Sequence, residues 1–174
     1  MNRRQFIQAG VVGGAALAAG GAWFVWRDRA PSDLQRVQVK QQERIDRIIG
    51  AIAPVILLGT LPEDPQARAP ALKRVSTDIG NVIAHFTSPV QKEVHELFGL
   101  LDIGIARRLL TGVSSDWDQA DPAQIGAFLD QWRHSRIEML QSGYHALHDL
   151  VFGAWYASDA TWGQLAYAGP PVIQ

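Results

Sequence analysis

The sequence predicts an all-α fold: a small helical bundle, preceded by an N-terminal signal or signal-anchor helix and followed by an irregular aromatic–proline tail. Three observations carry this. Apolar residues recur at i, i+3, i+4 and i+7 in one segment after another, the stripe of an amphipathic helix. Helix-start grammar, a polar cap followed by Pro and then Gln, stands before two of these stripes. No segment alternates as a half-buried strand does. With 174 residues, 47% hydrophobic and 19% charged, the chain suits one domain with a real core.

The first element is the leader, residues 1–30. Met1-Asn2-Arg3-Arg4-Gln5-Phe6-Ile7 opens the chain, and no charge follows until Arg27. The uncharged run from Gln5 to Trp26 would span roughly 33 Å as a helix, the thickness of a bilayer's apolar core. Its five glycines and many alanines make it only mildly apolar. A pair of arginines ahead of such a run resembles a twin-arginine signal, with Arg3, Arg4 and Phe6 at the positions a translocase receptor reads. Ala16-Leu17-Ala18 offers a cleavage spacing, whereas Trp23 and Trp26 followed by Arg27 and Arg29 read as the far belt of an uncleaved anchor in the inner membrane; both stay open.

The body, residues 31–174, starts where Ala30-Pro31-Ser32-Asp33 breaks the pattern. Ile45, Ile48, Ile49 and Ile52 give a first helix that Pro54 limits or kinks. Leu72, Val75, Ile79, Val82, Ile83 and Phe86 give a second. A third opens with Ser88 as cap, Pro89 and Gln91, and carries one apolar face from Val90 through Ile105 to Leu109, closed by Gly112. A fourth opens with Asp121, Pro122 and Gln124, and runs through Trp132 and Leu147 to Trp155, with Gly143 or Gly153 as its breaks. A short helix capped by Ser158 or Asp159 is expected to carry Trp162. Helices joined by short loops bury their faces on one another, which makes the bundle.

Charge and composition exclude several functions. Lys and Arg number 16 against 17 Asp and Glu, so nothing points to nucleic acid. Without residues 1–30 the remainder holds twelve basic and sixteen acidic residues, net −4, which argues against a polybasic lipid-binding patch. There is no Cys, hence no disulfide, thiolate zinc site, cysteine-ligated cluster or covalently attached haem. His145 and His148, at i, i+3 beside Asp149, are the pair that could begin a metal or haem site, which would need a third or fourth ligand, with Glu138 the one arguable addition. His85 and His95 read as surface or capping groups. Asp116, Asp118 and Asp121 lack the glycine and terminal glutamate of a calcium loop. No nucleophile elbow or phosphate loop is present.

The tail from about residue 155 is the most unusual segment. Trp155, Tyr156, Trp162 and Tyr167 fall within thirteen residues, and Gly169-Pro170-Pro171 follows. The prolines impose extended geometry, and Trp and Tyr dominate interface hot spots. Trp155 and Trp162 can equally close the chain's own core, whereas Tyr167 to Ile173 read as partner-facing.

The leader Arg3-Arg4-x-Phe6 and the tail pattern Trp155-Tyr156, Trp162, Leu165, Tyr167, Gly169, Pro170, Pro171 together resemble the gluconate 2-dehydrogenase subunit 3 family. Ile52-Ala53-Pro54-Val55-Ile56-Leu57 is similar to that family's early helix ending. The resemblance implies a non-catalytic small subunit without a cofactor of its own. It would be paired with a large FAD-dependent dehydrogenase subunit of the glucose–methanol–choline type, and often with a multihaem cytochrome c. It further implies that this chain provides the twin-arginine export signal for a folded periplasmic complex, with Trp155, Tyr156, Trp162, Leu165, Tyr167, Gly169, Pro170 and Pro171 at the partner. Family members that use a cysteine against the large subunit differ from this Cys-free chain. From another class, the alternatives are a stand-alone periplasmic metal- or haem-binding protein using His145 and His148, and a structural protein of the envelope.

Overall fold

The computed structural model describes residues 31–158 and 161, with side chains from residue 35 onward. The leader, including Arg3, Arg4 and Phe6, and the tail residues Trp162, Leu165, Tyr167, Gly169, Pro170 and Pro171 lie outside the described residues. The chain divides into two compact units, Met1–Val39 and Lys40–Gln174. Among the described residues there are six α-helices, one 3-10 turn and no strand: α1 Pro31–Ile56, α2 Pro65–His85, α3 Ser88–Asp102, α4 Gly104–Thr111, α5 Pro122–Arg133 and α6 Glu138–Ala157. The all-α expectation holds. No described helix is long and apolar enough to cross a membrane; the anchor expected over residues 5–26 falls outside the described part.

The stripe Ile45, Ile48, Ile49 and Ile52 is buried to 2% exposure or less, because its spacing places all four on one face. Pro54 does not stop α1, which runs on to Ile56. A proline this near the end removes only the bond to Gly50, and Gly50 is exposed, so its carbonyl is left to water. Asp64 caps α2 by accepting from the Gln66 amide at 3.0 Å, with Pro65 in the first turn. Where α1 and α2 meet, Gly80 makes room for Gln42: a Cβ there would press on Gln42 Oε1, and that side chain would have to shift. Gln42 Nε2 donates to Asp46 Oδ1 at 2.9 Å and to the Ser76 carbonyl at 3.1 Å, while Ser76 Oγ donates to Asp46 at 2.7 Å. Lys73 pairs with Asp46 as well. Burial pushes the Asp46 carboxyl up, but the hydrogen bonds from Lys73, Ser76 and Gln42 outweigh it and hold it below its ordinary value.

Two sequence expectations need correction. The single helix expected from Ser88 to Leu109 breaks at Ile103, which is extended (φ −76°, ψ 114°) between α3 and α4. Arg44 and Arg47 of α1 bind Asp102 at 3.1 and 2.9 Å, fixing the end of α3 where a further turn would have begun. Ser88 is not the cap either. Thr87 precedes the helix without a side-chain cap bond, and Gln91 Nε2 instead donates back to the Ala84 and Phe86 carbonyls at 2.9 and 2.8 Å. Gly112 does end α4, left-handed at φ 75° with its amide on the Arg108 carbonyl.

The helix expected from Asp121 to Trp155 is two. Asp121 caps α5 through the Ala123 amide at 2.9 Å, and the chain turns after Arg133, where the His134 amide meets the Asp130 carbonyl and Ser135 Oγ accepts from Ile137. Neither glycine of α6 is a break. Gly143 is buried, and a Cβ on it would stand 2.7 Å from Trp132 Cζ3, while a Cβ on Gly153 would meet nothing within 4 Å. These two positions give a test of opposite signs. Gly153→Ala is expected to stabilise by about 0.5–1 kcal/mol through helix propensity alone. Gly143→Ala is expected to destabilise by about 1–3 kcal/mol through overpacking. Urea unfolding of both variants checks the pair; a stabilised Gly143→Ala would mean that the ring yields.

α6 packs on α2 and α5; α3 adjoins α2 and α4, and α4 adjoins α5. One continuous cluster from Ile45 to Trp155 fills the interior. At its centre Trp117, Phe128 and Trp132 meet edge to face, with centroids 6.1 and 5.6 Å apart.

Candidate functional site

The candidate site is a set of surfaces rather than a pocket with converging groups. Its first part is the end of α6. Trp155 is only 4% exposed and belongs to the chain's own core, so as an isolated docking group it has no free face. Tyr156 is half-buried against the same core, 5.4 Å from Phe152. Beyond Ala157, Ser158 ends the helix with its amide on the Trp155 carbonyl. Thr161 then folds back, its amide on the Ser158 carbonyl at 3.0 Å and its hydroxyl 2.8 Å from the Trp155 carbonyl. Of the expected partner-facing residues, the described part thus holds two, and it places them where the helix closes the core.

Tyr144, His148, Phe152 and Tyr156, one turn apart on α6, form a ladder of half-buried rings. His148 stacks on Phe152 at 4.4 Å and 17°, and its Nδ1 lies 3.1 Å from Asp149. His145 is exposed and touches Tyr144 ring edge to face at 5.4 Å. Among the described residues no group of three His, Cys, Asp or Glu side chains is placed to hold a metal. His85 and His134 each set Nδ1 on a carbonyl of the preceding turn, 2.7 and 3.0 Å away. His95 is half-buried; burial, and then the charge of Arg44, depress its pKa. Of the loop acids, Asp116 is held by Arg107 and Asp121 by the start of α5.

The second part lies on α4, and sequence reasoning missed it. α4 is packed inside out. Arg107 and Thr111 are 5% and 4% exposed, while Ile105 and Leu109 are 76% and 81% exposed. Arg107 Nη2 donates to Asp116 Oδ1 at 2.9 Å, and its guanidinium lies over the Trp117 ring at 5.8 Å. Thr111 Oγ1 donates to the Arg107 carbonyl at 2.8 Å and accepts from the Val113 amide. Both inward polar side chains bond the segment just after the helix, Arg107 through Nη2 to Asp116 and Thr111 through its hydroxyl to the Val113 amide, and Ile105 and Leu109 are left facing out. The only advance sign was Asp116 nine residues beyond Arg107, which means nothing until the break at Ile103 is known.

Where α1 meets α3, Asp102 is bracketed by Arg44 and Arg47. Burial raises its carboxyl, but the hydrogen bonds and charges of Arg47 and Arg44 outweigh it and lower its pKa, and the Asp102 bond raises that of Arg47 in turn. This junction is an ion-paired brace, with no space between the groups that would make it a reaction site. Compared with protein-family models, with curated proteins and with solved structures, the chain matches none of them.

Proposed function

We propose that this chain is a non-catalytic accessory subunit that acts through a docked partner. It escorts a large FAD-dependent dehydrogenase subunit of the glucose–methanol–choline type through the twin-arginine translocase, and holds it at the periplasmic face of the inner membrane. The observation that carries the reading is the leader: Arg3-Arg4-x-Phe6 ahead of a glycine-rich uncharged run is an address read on folded cargo. Two features support it. The tail from Trp162 to Gln174 combines aromatics with Gly-Pro-Pro, a composition suited to interfaces. The outward Ile105 and Leu109 of α4 are large apolar groups that association would cover. FAD belongs to the partner in this reading, and a multihaem cytochrome c would join the complex through the large subunit.

Replacing Arg3 and Arg4 by Lys tests it. Export of this chain and of the flavoprotein is expected to fall together, with both recovered in the cytoplasm by fractionation and immunoblot. Continued export of the flavoprotein without this chain would overthrow the escort role.

A further inference from the structure

A hollow of about 320 Å³ opens where the end of α2, the start of α3 and the middle of α6 meet. Val82, Phe86, Val90, Val94 and Leu150 wall it, and Asp149 stands at its edge. Val82 and Val90 remain 42% and 41% exposed, unusual for valines set among other apolar side chains. No Lys or Arg lines it. Asp149 on α6 is part of its lining, and helical register sets an acid beside the lining residues of the other two helices: Glu93 next to Val94 and three residues after Val90 on α3, and Asp78 one turn before Val82 on α2. Asp149 has His148 Nδ1 at 3.1 Å. The cation next along α2, Arg74, reaches instead toward Ser158 Oγ, and Lys92 on α3 pairs with Glu96.

We infer that this hollow docks an amphipathic helical segment of a partner protein, with two apolar anchors one turn apart and Lys or Arg on either side of them. Along α6 the hollow runs from Ala146 to Gly153, about 10 Å, which is two turns and room for anchors at i and i+4. Gly153 keeps its far end open, since even a Cβ there would meet nothing within 4 Å. The acidic rim selects the occupant by charge. The chain's own residues 162–174 carry no Lys, Arg or His, so they offer the rim nothing. A second copy docked face to face would set the same acids against one another. A basic helix satisfies both the apolar floor and the rim.

This site rests on the reading that the chain works through a docked partner, and its test is independent of export. The full chain in nanodiscs of zwitterionic lipid is titrated with a labelled Leu/Lys amphipathic peptide of about four turns and with its Leu/Glu counterpart, empty discs serving as the blank. The Leu/Lys peptide is expected to bind saturably and about tenfold tighter than the Leu/Glu peptide, with the difference shrinking as salt is added. Glu93→Lys combined with Asp149→Lys should invert that preference, and Val90→Glu should abolish binding. All three positions are exposed, and an unchanged thermal transition confirms that the variants fold. Equal affinity for the two peptides, or a preference untouched by the charge reversals, overturns the proposal. So does a concentration-dependent dimer that Val90→Glu removes, which would make a second copy the occupant. If peptide binding fails while the Lys-Lys leader still retains the flavoprotein, the docking site is wrong and the escort role stands.

Discussion

Replacing Trp132 by Ala is expected to lower the unfolding free energy by about 3–5 kcal/mol, the range for removing a large aromatic from a packed core. Trp132 is 2% exposed and joins three helices. It stands on α5, its ring lies against Gly143 of α6, and its indole N–H donates to the Leu110 carbonyl at the end of α4 at 2.8 Å. Its edge also meets Phe128. Loss of the side chain therefore removes buried area, opens a cavity between elements that cannot all collapse inward, and orphans a carbonyl. Trp132→Phe separates these effects: it keeps much of the volume, and its expected cost of about 1–3 kcal/mol is mostly the unsatisfied Leu110 oxygen. Urea melts followed by far-UV circular dichroism check both, with unchanged m showing that the denatured state is the same. A Trp132→Ala loss below 1 kcal/mol would contradict the packing described.

The fold class was legible from the sequence because hydrophobic periodicity reports which residues share a face, and that information is local. The stripes at Ile45–Ile52 and Val75–Ile83 needed nothing else. The cap at Asp121 was legible, whereas Asp64, which bonds the Gln66 amide in the same way, lies in a stretch that reads only as a polar loop. The cap was misread at Ser88, where the turn is held by Gln91 reaching back to two carbonyls. The breaks at Ile103 and at 134–137 were not legible for a different reason. Neither segment contains a proline. The break at Ile103 has partners distant in sequence beside it, Arg44 and Arg47 at Asp102. The turn at 134–137 is closed by a serine side chain, Ser135, accepting from the Ile137 amide, a bond that no apolar stripe announces. The glycines misled in the opposite direction. Gly143 reads as a helix breaker, yet its role is to let Trp132 approach a helix backbone, a close contact that no local pattern announces.

Less of the candidate site was legible. Trp155 gave two readings of equal standing in the sequence, and its burial decides for the core. The histidines at 145 and 148 share an approximate helical side, but one lies open to solvent and the other is committed to a stack with Phe152. A ligand set needs convergence, which spacing along one helix does not create. The α4 surface and the α2–α3–α6 hollow were invisible because both depend on which way a helix is rotated. Ile105 and Leu109 look like core on any helical wheel that treats 88–109 as one rod. Once the helix restarts at Gly104, the next polar residue with a partner, Arg107, sets the rotation.

That rotation leads to the second large effect. Asp116→Ala is expected to cost about 3 kcal/mol, the lower end for breaking a buried ion pair, since Asp116 itself is open to water. The loss arises on the other side of the pair: Arg107, 5% exposed, would keep its charge inside beside the face of Trp117, and among the described residues its Nε already has no hydrogen-bond partner. Arg107→Met, of similar length and without charge, is expected to be neutral or to stabilise by about 1 kcal/mol, because an apolar side chain of that shape avoids the desolvation cost altogether. The double variant Arg107→Met with Asp116→Ala should then recover most of what Asp116→Ala loses. Chemical denaturation of the three variants reads the cycle directly. Equal losses from the two single variants would mean that the ion pair itself, rather than the orphaned cation, carries the energy. The predicted asymmetry would show that a buried arginine is kept here at no gain in stability, and its consequence is geometric: while Arg107 points inward, Ile105 and Leu109 must point out.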